Sequence, residues 1–517
     1  MGSYAGQLKP GDRWRVSMYV MNAFKGGINP APAATPANAT AAAPAADAKP
    51  AAETAPATPA ASVTTSPKKK ELKMYSFSPK LRLYSIIFIV LGLVLFGAGY
   101  FMNHGIDDAK IEHLMEAVHA GGLNKPTHSS ELIGPQDHAA HLEHAKMQIH
   151  NQPLAAVHSV AVFLFALSCC ALFFYSIQNA AHAGWPIIIL RVMEAIASYI
   201  PWGGAILIII MLLNVTHNGH LFHWMDSSLT TPGDPHFDPI LYEKKKFLNI
   251  PFYAFRTIFY VVGASFFAWK LKSMSKKVDE NKGNRKIYAN YYSWSVGYIA
   301  FFGFCSAAWA WDWLMSIDPH WYSTMYIWYA MVSALASSIA VIILISVYLK
   351  KNGFLPQFND NHLHDLGVFL FATSMLWTYT WFAQFMLYWY ANIPEEVNYF
   401  FGRFEYYSWT FLPVMIFVFL IPLLVLVSSS IKRNYKVVTT MAVIVLLGQW
   451  VNYFNMVMPG TVGPYWKTPE VLLLTVGALL FFAGLFVFAV MTALSKLKLI
   501  PTGNPFLKES EIYEYPF

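Results

Sequence analysis

Residues 83–102 read LYSIIFIVLGLVLFGAGYFM, a run with no Asp, Glu, Lys or Arg in it. As a helix rising 1.5 Å per residue, it is the first window along the chain long and apolar enough to cross a hydrocarbon core of about 30 Å. Windows of the same character recur at about 154–176, 188–213, 250–270, 294–315, 323–348, 366–390, 408–429, 437–457 and 470–494. The expected fold class is therefore an all-α integral membrane protein with about ten transmembrane helices. Composition agrees. Of 517 residues 56% are hydrophobic and 16% aromatic while only 13% are charged, which is not the balance of a soluble domain. Pro201 and Pro413 fall inside spans, where membrane helices tolerate them, and are expected to mark kinks.

The formal net charge of +7 could suggest nucleic acid. The cations, however, sit in a few loops beside apolar runs, where membrane topology needs them, so no nucleic-acid partner is expected. The richest segments are Lys68 to Arg82, before span 1, and Lys270 to Lys286, between spans 4 and 5. Alternation puts both on one side, together with Lys350, Lys351, Lys432, Arg433, Lys436, Lys496, Lys498 and Lys508. By the positive-inside rule both ends of the membrane domain are cytoplasmic. Lys244-Lys245-Lys246 is the exception, since alternation places it outside. The three cysteines, Cys169, Cys170 and Cys305, lie in apolar runs without C-x-x-C or C-x-x-C-H spacing, so they read as small core residues. No covalently bound redox cofactor is expected.

Ionisable residues inside spans are costly unless paired or hydrated, so each is a functional candidate. Span 3 opens with His182-Ala-Gly-Trp185-Pro186 and continues with Arg191 and Glu194, three apart and on one helix face. A structural ion pair is one reading; the other puts His182 and this pair beside a quinone head group or on a proton path. Asp312 lies in Trp309-Ala-Trp311-Asp312-Trp313, read as an aromatic belt at the outer interface, and Asp318-Pro-His-Trp321 follows. Asp312 needs a partner or a water chain and is a candidate relay. His364 and Asp365 stand at the cytoplasmic mouth of span 7, which leads past Gln384 to Glu395, Glu396, Arg403 and Glu405 outside. A solvated loop also accounts for that outer cluster.

Two histidine groups resemble ligand sets. The loop at about 103–153 holds eight histidines, with His138, His141 and His144 at helical spacing, and His217-x-x-His220-x-x-His223 is read as the end of the span 3 helix. Three-residue steps drift by about 60° around a helix, so a docking or proton-handling surface is expected in preference to a metal. Span histidines other than His158 lie near helix ends, which argues against a haem clamped between helices.

Met74-Tyr-Ser-Phe-Ser-Pro-Lys80, His182-Ala-Gly-Trp with Arg191-Val-Met-Glu194, Asp312-Trp-Leu-Met-Ser-Ile-Asp318-Pro-His-Trp321, His364-Asp-Leu-Gly367 and Trp389-Tyr-Ala-Asn-Ile-Pro-Glu395-Glu396 together resemble a known family. It is that of the NrfD-like, polysulfide-reductase-type membrane subunits, and within it the second such subunit (ActF-type) of bacterial alternative complex III, a quinol:cytochrome c oxidoreductase. The resemblance covers residues 74 to about 500. It implies two four-helix bundles flanked by single helices. It also implies a bacterial inner-membrane subunit that supports quinol or menaquinol oxidation and proton movement. Its partners would be an iron–sulfur subunit, multihaem and monohaem cytochrome c subunits and a sister NrfD-like membrane subunit. The quinol pocket is usually assigned to that sister, so His182, Arg191, Glu194, Asp312, Asp318, His364 and Asp365 are carried over as quinone or proton-path candidates, with no catalytic or metal-ligating residue assigned.

The remaining segments divide as follows. Residues 1–28, with Asp12-Arg-Trp-Arg-Val-Ser-Met-Tyr-Val20, look like the closing part of a c-type cytochrome, annexed by fusion or by a misplaced start before Met74. Residues 29–73 read as an Ala/Pro-rich disordered linker, 74–500 as the membrane domain and 501–517 as a cytoplasmic tail. A secondary transporter and a purely structural subunit of a redox complex are the competing functional readings; the transporter would show interrupted helices paired between two inverted halves.

Overall fold

The structure, a computed structural model, describes residues 75–121 and 138–514. The expected cytochrome-like segment 1–28 and the linker 29–73 lie outside the described residues. The chain is 79% helical with no strand among the described residues, an all-α membrane protein.

Nine described helical segments are long and apolar enough to cross a membrane: Pro79–His104, Gln152–Ala180, Trp185–Val215, Ile250–Glu280, Met325–Lys351, Asp360–Ala391, Ser408–Leu426, Tyr435–Thr461 and Pro469–Ser495. These are spans 1 to 4 and 6 to 10 of the sequence reading. The expected span 5 is present as Arg285–Trp313, a helix of 29 residues, but it falls short of the others in apolarity. Its Tyr291 and Ser295 are buried in hydrogen bonds, to Tyr175 and Asn179. A helix that faces neighbours with polar groups in this way needs less hydrocarbon character of its own.

Pro201 and Pro413 both interrupt their spans. Pro201 has no N–H for the Ala197 carbonyl, and span 3 divides there into Leu190–Ala197 and Ile200–Val215. The turn between them is tightened by Ser198 N to Ala195 O and Tyr199 N to Ile196 O, 3.2 and 3.1 Å. After Pro413, span 8 opens into a π-turn over Met415–Leu420 before resuming at Ile421–Leu426.

Spans 2 to 5 pack together as one four-helix bundle and spans 6 to 9 as a second. Span 2 also meets spans 6 and 9, and joins the two bundles. Its most apolar window is 89% buried inside the protein, against 17% for span 1, so span 2 is a core helix and span 1 is peripheral. Spans 1 and 10 form a flanking pair. Glycine makes that pair possible: a Cβ on Gly92 would fall 2.3 Å from Phe481 N, and one on Gly477 2.4 Å from Phe96 N. Lipid tails are as apolar as Leu, so such backbone approach, not hydrophobic exclusion, holds the two helices together.

Residues 501–514, expected as a tail, fold back onto the bundle ends. Ser510 Oγ donates to Trp185 O (2.6 Å) and accepts from Ile188 N, Gly503 N donates to Asp279 Oδ1 (2.9 Å), and Asn359 Nδ2 donates to Tyr513 O (2.8 Å). The approach is close enough that a Cβ on Gly503 would meet Val278 O at 2.1 Å.

Candidate functional site: two buried ion-pair networks

Arg191 reaches Glu194 because residues three apart on Leu190–Ala197 share a face. Its Nη1 donates to Glu194 Oε2 at 2.6 Å and to Ser275 Oγ at 2.8 Å, and Nη2 donates to Asp279 Oδ2 near the end of span 4. Tyr175 of span 2 donates to Glu194 Oε1 at 3.0 Å and is hydrogen-bonded to Tyr291 of span 5. Arg191 and Glu194 are each 3% exposed. Four helical segments of the first bundle thus converge on one cation and two carboxylates, and the structural-pair reading of this motif is the one its geometry favours. Arg191 Nε alone lacks an acceptor.

Asp312 is fully buried at the opposite end of the same bundle. It takes a two-point hydrogen bond from Arg256 of span 4, Nε to Oδ2 at 2.8 Å and Nη2 to Oδ1 at 2.7 Å, with Tyr260 OH at 3.3 Å. Arg256 also donates to Phe247 O and lies 4.0 and 4.2 Å from the ring centroids of Phe247 and Phe252. This is the planar, fork-shaped recognition that Lys could not supply. Both carboxylate oxygens are occupied, so a free relay is not what the geometry offers. Arg256 was legible in the sequence as the one arginine inside span 4; the missing signal was its distance from Asp312, 56 residues along the chain.

The other candidates are dispersed. His182 is exposed, in a left-handed turn (φ 52°) past the end of span 2, and stacks on Tyr292 with centroids 4.9 Å apart. It does not join the Arg191 pair. His364 Nδ1 lies 3.1 Å from Asp365 Oδ1, and Tyr513 of the folded-back tail donates to Asp365 Oδ2 at 2.5 Å. Asp318 meets Arg403 Nη2 at 3.4 Å. Arg403 is 3% exposed, so the solvated-loop alternative does not hold for this member of the outer cluster. Of the tryptophans around Asp312, Trp311 is half-buried and packs edge-on against Phe247. Trp309 and Trp313 are buried, and Trp313 Nε1 donates to Thr257 Oγ1 at 3.2 Å.

The histidine run also departs from the helix expected of it. Span 3 ends at Val215, His217 takes φ 57°, and His223 begins a separate short turn. His217, His220 and His223 instead line a vestibule of about 240 Å³ with Asn151, Asn214 and Asp226. Residues His138–His150 do form the expected helix, and His144 stacks on His223. Among the described residues no three His, Cys, Asp or Glu side chains are placed to hold a metal ion.

Of the three anomalous lysines, Lys244 is held by a loop contact on this side. Lys244 Nζ donates to Pro319 O at 2.5 Å, and burial pulls its pKa down. Asp238 accepts from Ile240 N and Leu241 N at 2.8 and 3.2 Å and pairs with His320. Partial burial raises the Asp238 pKa, but the His320 and amide bonds outweigh it and leave the group below its ordinary value. The stabilisation is therefore present above the unfolded-state pKa and is lost as pH falls through the lower folded value. Hydrogen exchange at the Ile240 and Leu241 amides should accelerate as pH drops below about 4 beyond the intrinsic trend. In Asp238→Asn that acid step should be absent; an unchanged step would assign the protection elsewhere.

No protein-family model matches the chain, and no curated protein is similar to it in sequence.

Proposed function

We propose that this multi-pass membrane protein is an integral membrane subunit of a respiratory quinol:cytochrome c oxidoreductase of the alternative complex III type. In this reading it lies in a bacterial inner membrane with both ends of its membrane domain cytoplasmic and supports quinol or menaquinol oxidation and proton translocation. Electrons leave through an iron–sulfur subunit and multihaem and monohaem cytochromes c, beside a sister NrfD-like subunit.

The observation that carries the reading is the use made of the resembling motifs. Arg191-Val-Met-Glu194 and the Asp312 string each supply a buried charge to a multi-helix network, one at each end of the first bundle. These networks tie the helices of the first bundle together at both ends. The Trp389-Tyr390 motif, in contrast, is left at 62% and 85% exposure at the end of span 7, where none of the described residues covers it. Exposed aromatics of that kind suit a subunit contact at the membrane edge.

Two interrupted spans, 3 and 8, one in each bundle, also suit a secondary transporter, whose substrate sites are built at such breaks. Gentle detergent purification from native membranes separates the readings. Co-purification of iron–sulfur and multihaem subunits with quinol-dependent cytochrome c reduction is the expected result. A lone, colourless and inactive protein would remove the respiratory reading and leave the transporter.

A further inference from the structure

The folded-back segment 501–514 is fastened unequally at its two ends. Its first part is built into the first bundle. Gly503 N donates to Asp279 Oδ1 at 2.9 Å, and the chain passes span 4 so closely that a Cβ on Gly503 would meet Val278 O at 2.1 Å. Further on, Ser510 is fully buried, and its hydroxyl donates to Trp185 O at 2.6 Å and accepts from Ile188 N at 3.2 Å.

Beyond Ser510 the hold changes. Glu511, Ile512 and Glu514 are exposed, Ile512 at 79%, and Tyr513 is the residue that reaches the second bundle. Its carbonyl accepts from Asn359 Nδ2 at 2.8 Å and from Asn361 Nδ2 at 3.4 Å, at the start of span 7. Its ring lies 5.4 Å from that of His362, and its hydroxyl donates to Asp365 Oδ2 at 2.5 Å. Behind it the backbone is held by single-turn bonds, Ile512 N to Lys508 O at 3.2 Å and Tyr513 N to Ser510 O at 3.4 Å. An end with few buried contacts and exposed backbone bonds opens at small cost, whereas the Gly503 and Ser510 anchors do not.

Ionisable groups withdrawn from solvent lie beneath Tyr513. His362, His364 and Asp365 are 0%, 1% and 9% exposed, and Asp365 Oδ1 stands 3.1 Å from His364 Nδ1. A carboxylate taken out of water needs donors, and Tyr513 supplies the one to Oδ2 while covering the group. The geometry points to a hinged lid: residues 511–514 swing about the fixed Ser510, carry Tyr513 on and off the start of span 7, and so open or close the His362, His364 and Asp365 group to water and small ions. The lid is read from contacts within this chain and does not depend on the respiratory reading.

The test uses the full chain in detergent. Hydrogen exchange, corrected for intrinsic rates, should be graded along the segment, with the Ile512 and Tyr513 amides about tenfold or more faster than that of Gly503, because the two ends open separately. A water-soluble carbodiimide with glycine ethyl ester, read by peptide mass spectrometry, then reports which carboxylates meet solvent. Tyr513→Ala should raise labelling of Asp365 by about tenfold or more, since a donor to a charged group and its cover are lost together, while Asp279 is labelled as in the parent. Tyr513→Phe keeps the ring and carbonyl contacts and should give a smaller rise; it serves alone if the alanine variant does not accumulate. Uniform exchange from Gly503 to Tyr513, or Asp365 labelling that neither variant moves, overturns the lid.

Discussion

Arg256→Met is expected to lower stability by about 3–5 kcal/mol, because it leaves a carboxylate with no solvent exposure and one donor, Tyr260 at 3.3 Å, in place of three. The loss comes from stranding Asp312, not from forfeiting an attractive pair. Converting both residues, Arg256→Met with Asp312→Leu, should therefore recover most of it, since the desolvation cost disappears with the charge. Arg256→Lys should fall between, as an ammonium cannot reproduce the two-point contact or the ring contacts with Phe247 and Phe252. Detergent thermal unfolding of the four proteins measures this. A single variant as stable as the parent would mean that Asp312 is protonated or hydrated, and would restore it as a proton relay. In an assembled complex, Asp312→Asn should accordingly lower the amount of folded subunit more than the quinol oxidation rate per folded complex.

The second large effect is expected at Arg191. Arg191→Met strands Glu194 and Asp279 together, two carboxylates within one network, for a loss of about 3–5 kcal/mol or more. Because Asp279 Oδ1 also accepts from Gly503 N, the damage should extend to the folded-back segment 501–514. Limited proteolysis should cleave that segment earlier in the variant than in the parent. Ser275→Ala removes a single neutral partner of the same guanidinium and should cost about 1 kcal/mol with the segment still protected. If the two variants were equally mild, Arg191 would not be the centre of the network, and the functional readings of this motif would regain ground.

How much was legible depended on whether the signal was local. The helix edges of spans 2, 6 and 9 lie within a few residues of the apolar windows that announced them, because hydrophobic length is written consecutively along the chain. The Arg191–Glu194 pair was legible for the same reason, being three apart on one helix. Its third charged member, Asp279, was not, since nothing in the sequence brings a residue 88 positions away into contact. Arg403 failed in the opposite direction. A charge in a loop reads as solvated, and only the packing of Tyr399, Asp318 and Asn455 around it buries it. The histidine run was misread because three-residue spacing suits a helix, whereas the chain leaves the helix at Val215 and turns through a positive φ at His217.

By itself, then, the sequence determined that the chain is a helical membrane protein, roughly where each helix starts and stops, and which charges must be neutralised within the membrane. Hydrophobic length and the cost of an unpaired charge in hydrocarbon are properties of short stretches, and both survive without knowledge of neighbours. Tertiary structure alone decided the partner of each charge: Arg256 for Asp312, Asp279 for Arg191, Arg403 for Asp318. It also decided that the C-terminal segment folds back over the bundle ends. Those outcomes depend on which helices are adjacent, and in a bundle of long helices adjacency is settled by backbone approach at positions such as Gly92 and Gly477, which leave no mark on hydropathy.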